Sequence, residues 1–124
     1  MRTRIWFLLG LFLLPFWVNA QSEEQEIIDK LYTLYNDKEY QELKVAYYAS
    51  HQKLTEPKAI DKAMGFLAAS HFVLNEYDSA IAVFDSVTQI RLVQLHDTVQ
   101  AANAMNNVAV LYFLKKQLHR ALAI

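Results

Sequence analysis

The chain has 124 residues, of which only two are glycine and two proline, so long uninterrupted elements are favoured over a turn-rich β architecture. It has no cysteine, which excludes a disulfide framework, a thiolate metal site and a cysteine nucleophile. A formal net charge of −1 argues against a nucleic-acid binder, which would carry a basic stripe.

The first twenty residues read as an address. Arg2 and Arg4 precede an apolar run from Ile5 to Val18, broken only by Gly10 and Pro15. Val18-Asn19-Ala20 follows, then polar Gln21-Ser22-Glu23-Glu24. A basic start, an apolar middle and a small residue at the cut are the order of a secretory signal, with cleavage after Ala20. The apolar run is shorter than the roughly 17–25 residues a spanning helix needs. An uncleaved anchor formed by residues 5–18 is the alternative. With no cysteine after the cut, a lipidated cysteine is excluded there. Removal of Arg2 and Arg4 leaves 10 basic and 13 acidic residues, a net charge of −3.

Five helices and the start of a sixth are expected in the remaining chain. Ser22 with Gln25 forms a capping box, and acidic residues fill the first turn. Ile27, Leu31, Leu34 and Tyr35 then recur at helical spacing until the polar break Asn36-Asp37-Lys38-Glu39. The second helix places Tyr40, Leu43, Tyr47 and Leu54 on one face. Thr55-Glu56-Pro57 is a stop followed by a start, because proline suits a helix's first turn. The third carries Ile60, Met64, Leu67, Ala68, His71 and Phe72 and breaks at Asn75-Glu76. The fourth carries Tyr77, Ala80, Ile81, Phe84, Val87 and Ile90 and ends at His96-Asp97-Thr98, where Asp97 with Gln100 is a second capping candidate. The fifth carries Val99, Ala102, Met105, Val108, Ala109 and Tyr112, and Lys115-Lys116-Gln117 closes it with cations at the negative end of the dipole. A sixth begins at Leu118.

The breaks recur. Tyr40, Tyr77 and Leu118 follow the breaks Asp37-Lys38-Glu39, Leu74-Asn75-Glu76 and Lys115-Lys116-Gln117, at spacings of 37 and 41 residues, and each opens an apolar helix. Such a period marks stacked helix hairpins. The stretch Asn75-Glu76-Tyr77-Asp78-Ser79-Ala80-Ile81, with Phe84 and Val87 after it, resembles the turn and second helix of the tetratricopeptide repeat family. Leu67-Ala68 and His71-Phe72 fall where that family's first helix packs. Val108-Ala109, Tyr112-Phe113, Leu118 and Ala121-Leu122 stand at matching places in the third copy. The departures are Leu43 at a small-residue position, Met64 and Met105 where tryptophan is expected, and the absence of a closing proline. The period also exceeds the family's common 34 residues, which calls for helices longer by about a turn per hairpin.

The resemblance implies an all-α fold, an α-α superhelix of TPR-like stacked hairpins over about 22–56, 57–96 and 97–124, the last incomplete. It implies protein–protein interaction through a groove lined by the first helix of each hairpin. Carried over by position, that groove holds Lys62, Gly65, Ala69 and Phe72 from the second copy, and Asn103, Asn106, Val110 and Phe113 from the third. Asn103 and Asn106 share one helix face and are suited to a peptide backbone.

No enzyme is expected, and no cofactor or metal. His51, His71, His96 and His119 are scattered without the i, i+4 spacing of a metal-binding helix, and there is no glycine-rich phosphate loop. Ser70 and Ser79 lack a base and an orienting acid at recognisable spacing. His71 reads as a packed core histidine, the other three as solvated. The cluster Tyr32, Tyr35, Tyr40, Tyr47 and Tyr48 reads mainly as packing between hairpins, with a sticky surface as the sharper alternative. The apolar segment Leu118–Ile124 suggests either a longer protein or self-association through that segment. The expected function is an exported, periplasmic or extracytoplasmic scaffold or sensor segment of a longer signalling protein, with a protein or peptide partner and no nucleic acid. It resembles the sensor regions of bacterial membrane-bound histidine kinases and transcriptional regulators. A membrane enters only through the leader or a downstream span. A helical ligand carrier or enzyme accessory is the alternative.

Overall fold

The computed structural model describes residues 23–123. The expected signal over residues 1–20, the expected capping Ser22 and the terminal Ile124 lie outside them. All regular structure among the described residues is helical: α1 over residues 23–36, α2 Tyr40–Ser50, α3 Pro57–Val73, α4 Tyr77–Gln89 and α5 Thr98–Leu122. A 3₁₀ turn, His51–Lys53, follows α2, and a π turn, Ile90–Gln94, follows α4. No described helix is long and apolar enough to cross a membrane.

The turns α1–α2 and α3–α4 are the same turn built twice, 37 residues apart. Asp37, Lys38 and Glu39 donate their backbone N–H groups to the carbonyls of Thr33, Tyr35 and Leu34 at 2.9, 3.1 and 2.9 Å. Leu74, Asn75 and Glu76 donate to Ser70, Phe72 and His71 at 3.1, 3.0 and 2.8 Å. The central residues Lys38 and Asn75 are left-handed, with φ of 60° and 61°. Glu39 and Glu76 open the next helix with nearly identical backbones, φ −91°, ψ 66° and φ −89°, ψ 68°. These bonds satisfy carbonyls that a helix end leaves orphaned.

The junction between hairpins is built differently. Pro57 occupies the first turn of α3, where its missing N–H costs nothing. At α5, the Asp97 carboxylate accepts the Gln100 N–H at 3.0 Å, so the anticipated cap is in place. The starts of α3 and α5, Pro57 and Thr98, are 41 residues apart. This exceeds the 37-residue turn interval by four, and the π turn after α4 takes up extra length.

Small side chains set the helix crossings. Ala63, Ala68, Ala80 and Ala104 are fully buried and Ala101 nearly so, which lets backbones approach closely. One core cluster joins Ile28 and Leu31 of α1, Leu43 and Tyr47 of α2, and Ala63 and Leu67 of α3, closed below by Leu54. Leu54 sits in extended backbone beyond the 3₁₀ turn rather than on α2. Phe66 of α3 meets Tyr35 and Tyr32 of α1 at ring-centroid distances of 5.5 and 6.1 Å. The other cluster joins Ala80 and Ile81 of α4 to Leu111 of α5.

Two expectations fail on α5. Lys115-Lys116-Gln117 does not break it; the helix runs on to Leu122, and the expected sixth helix is its continuation. Lysine, glutamine, leucine and arginine are good helix formers, so the polar run continues the helix. Lys115 is held in the helix by an ion pair with Asp78 of α4 at 2.6 Å. The buried stripe is also not the expected one. Ala101, Ala104 and Leu111 face α4, with Val108 partly buried, while Val99, Met105 and Tyr112 are 69, 58 and 56% exposed. Both stripes have helical spacing, and the narrower one won because it fits the close α4–α5 crossing.

Candidate functional site

Two clefts and one polar tie organise the surface around α3. The tie comes from Lys44 on α2, His71 near the end of α3, and Glu76 at the head of α4. Lys44 Nζ donates to both oxygens of Glu76, at 2.8 and 3.0 Å, and His71 Nδ1 lies 3.0 Å from Oε1 of the same carboxylate. The first hairpin is thereby bound to the turn of the second. Lys44, and then His71, hold the Glu76 carboxyl below its ordinary value against a small opposing cost of burial. His71 is buried, as expected for a core histidine, but its Nε2 has no hydrogen-bond partner. Among the described residues no group of three His, Asp or Glu could hold a metal.

The other histidines divide. His96 and His119 are exposed, whereas His51 is half-buried and stacks on Tyr47 at 5.1 Å with an 8° interplanar angle. Burial pushes the Tyr47 phenol up. Of the tyrosine cluster, Tyr47 is core, Tyr35 and Tyr40 are half-buried, and Tyr32 and Tyr48 are exposed.

The cleft between α1 and α3 is polar. It measures about 410 Å³ and is lined by Glu24, Gln25, Ile28, Glu56, Lys58, Ala59 and Lys62. Glu24 reaches across from α1 to accept the backbone N–H groups of Thr55 and Glu56 and the Thr55 hydroxyl. A carboxylate at the head of α3 meets both orphan donors and the positive end of the dipole. The Thr55 N–H is the main influence holding the Glu24 carboxyl below its ordinary value. Nothing in the sequence pattern points to this cap, because its partners are 31 and 32 residues away.

The cleft between α3 and α5 is smaller and mostly apolar. Ala69 and Phe72 of α3, Phe84 of α4, and Asn107 and Val110 of α5 line about 190 Å³. The structure therefore brings together Ala69, Phe72 and Val110 of the expected groove. Lys62 instead lines the α1–α3 cleft. Asn103, Asn106 and Phe113 are exposed on α5 but are not among the residues lining the α3–α5 cleft. Asn107, the neighbour of Asn106, and Phe84, a position of the repeat's second helix, line that cleft without having been expected in the groove. The π turn and the 41-residue interval that set α5's rotation are the reason, since a shift of one residue turns a helix by about 100°.

An apolar floor with one side-chain amide suits an extended or helical peptide segment: the amide can both donate and accept. Compared with known proteins, the chain matches no family model, no curated protein and no solved structure.

Proposed function

We propose that the chain is a protein–protein interaction module. It is an exported scaffold or extracytoplasmic sensor segment of a larger signalling protein, with tetratricopeptide-like hairpins stacked as a superhelix. The observation that carries the reading is the recurrence of one hairpin turn, bond for bond, at an interval of 37 residues. Repeats of this kind bury a continuous core between neighbours and leave one face open to partners. The apolar α3–α5 cleft on that face supports a peptide ligand. The order of the first twenty residues supports export.

The binding reading is tested by selecting peptides from a random library on the immobilised protein and mapping the selected peptide by NMR. Shifts at Ala69, Phe72, Asn107 and Val110 are expected, with affinity lost in Phe72→Ala. Unchanged affinity in Phe72→Ala, Asn107→Ala and Val110→Ala removes this face from consideration. Export is tested separately by fusing residues 1–20 to a reporter active only outside the cytoplasm. An inactive, uncleaved fusion would overturn that part.

A further inference from the structure

The exposed side of α5 repeats a surface that α3 already has covered. On α3, Met64, Ala68 and Phe72 stand four residues apart along one side. That side faces α4, as its two ends attest. Asp61 accepts from Arg91 Nε just beyond α4 at 2.8 Å, and the Phe72 ring lies 6.4 Å from that of Tyr77. Along this side Ala68 is fully buried and His71 is 6% exposed, Met64 is half-buried against the α1–α3 core, and Phe72 keeps 39% exposure.

Moving 41 residues on, the interval between the starts of α3 and α5, gives Met105, Ala109 and Phe113. The same three residue types recur in the same order. Ala102 stands at the place of Asp61, and Tyr112 at that of His71. Here the whole stripe is exposed: Met105 at 58%, Tyr112 at 56%, Phe113 at 61%, and Ala102 and Ala109 also open. The adjoining stripe of α5, Ala101, Ala104 and Leu111, is buried, with Leu111 packed against Ala80 and Ile81 of α4.

We infer that Ala102, Met105, Ala109, Tyr112 and Phe113 form a seat for an amphipathic helix of a partner protein, packed antiparallel to α5 as α4 packs on α3. The chemistry of the occupant follows from α4 and from charge. Ala109 leaves room for close approach, so the occupant places a small residue there, as α4 carries Ala80 early in its length. Beyond Tyr112, α5 carries Lys116 and Arg120 exposed, Lys115 being paired with Asp78 of α4, and the whole helix has no acidic residue. An antiparallel helix brings its N-terminal turn to that end. That turn is acidic, as Asp78 and Glu42 make the first turns of α4 and α2. A second α5 offers no such acid, so the seat does not pair with a second α5. This seat is distinct from the α3–α5 cleft, and its test stands or fails independently of that cleft.

The probe is a synthetic peptide of residues 75–95 titrated into the purified protein by NMR. Shifts centred on Ala102, Met105 and Ala109 are expected. Ala109→Arg, an exposed position that leaves the core untouched, should weaken binding at least tenfold, and Val45→Arg on exposed α2 should not. Lys116→Glu with Arg120→Glu should weaken it severalfold and reduce its salt dependence. Absence of binding, shifts confined to α3, or equal affinity for Ala109→Arg would each overturn the proposal. So would a dimer on sizing that Ala109→Arg converts to monomer, which would assign the seat to a second copy.

Discussion

Leu111 is the residue on which the attachment of α5 depends most. The other fully or nearly fully buried side chains of α5 are Ala101 and Ala104, one methyl each, whereas Leu111 is 0% exposed against Ala80 and Ile81. Leu111→Ala removes three carbons from that seam. At roughly 0.8 kcal/mol per buried methylene the transfer loss is about 2.4 kcal/mol. The cavity left behind raises the expected total to about 3 kcal/mol. Because α5 packs chiefly against α4 and the π turn after it, the loss should appear as local opening of α5. The assay is native-state amide hydrogen exchange. Amides of α5 should exchange roughly a hundredfold faster, since each 1.4 kcal/mol is a factor of ten, while those of α1 and α2 keep their protection. Tyr112→Ala, one residue along and 56% exposed, should change exchange by less than about 0.5 kcal/mol in equivalent stability. Equal acceleration across α1, α2 and α5 in Leu111→Ala would refute the reasoning, because α5 would then open only with the whole chain.

Four further outcomes follow from the local geometry. Lys38→Gly relieves a lysine held at φ 60° and should raise the thermal midpoint, by about 0.5–1 kcal/mol in stability. Asn75→Ala, at φ 61° in the equivalent turn, should lower it by about 1 kcal/mol in the same melting assay. Asp97→Ala removes the cap of α5 and should cost about 1 kcal/mol in urea unfolding, with early loss of helical signal. Glu24 and Glu76 both have folded-state pKa values below the ordinary 4.5, Glu24 chiefly through the Thr55 N–H and Glu76 chiefly through Lys44. Their contribution is therefore full above pH 4.5 and lost as pH falls through the folded values, and urea midpoints for Glu24→Gln with Glu76→Gln should show a shallower acid slope than the parent.

The leucine, alanine and tyrosine spacing of the first four helices is readable along the chain, because helical periodicity is local. The turns at Lys38 and Asn75 and the proline start of α3 were readable for the same reason: each rests on bonds within about five residues. The open face was legible only in part. Ala69, Phe72 and Val110 line one cleft, but Lys62 lines another and Asn107 enters unannounced.

What the sequence by itself determined is the all-helical character, the hairpin period and the polar punctuation that ends α1 and α3. Tertiary structure alone decided which stripe of α5 is buried, since two stripes of equal periodicity compete and only the fit against Ala80 and Ile81 chooses between them. It also decided that Lys115 belongs inside a helix, because its partner Asp78 lies 37 residues away in sequence and 2.6 Å away in space. Likewise Glu24 caps α3 and Lys44 clasps Glu76 only after the hairpins have stacked, so no local pattern along the chain encodes either contact.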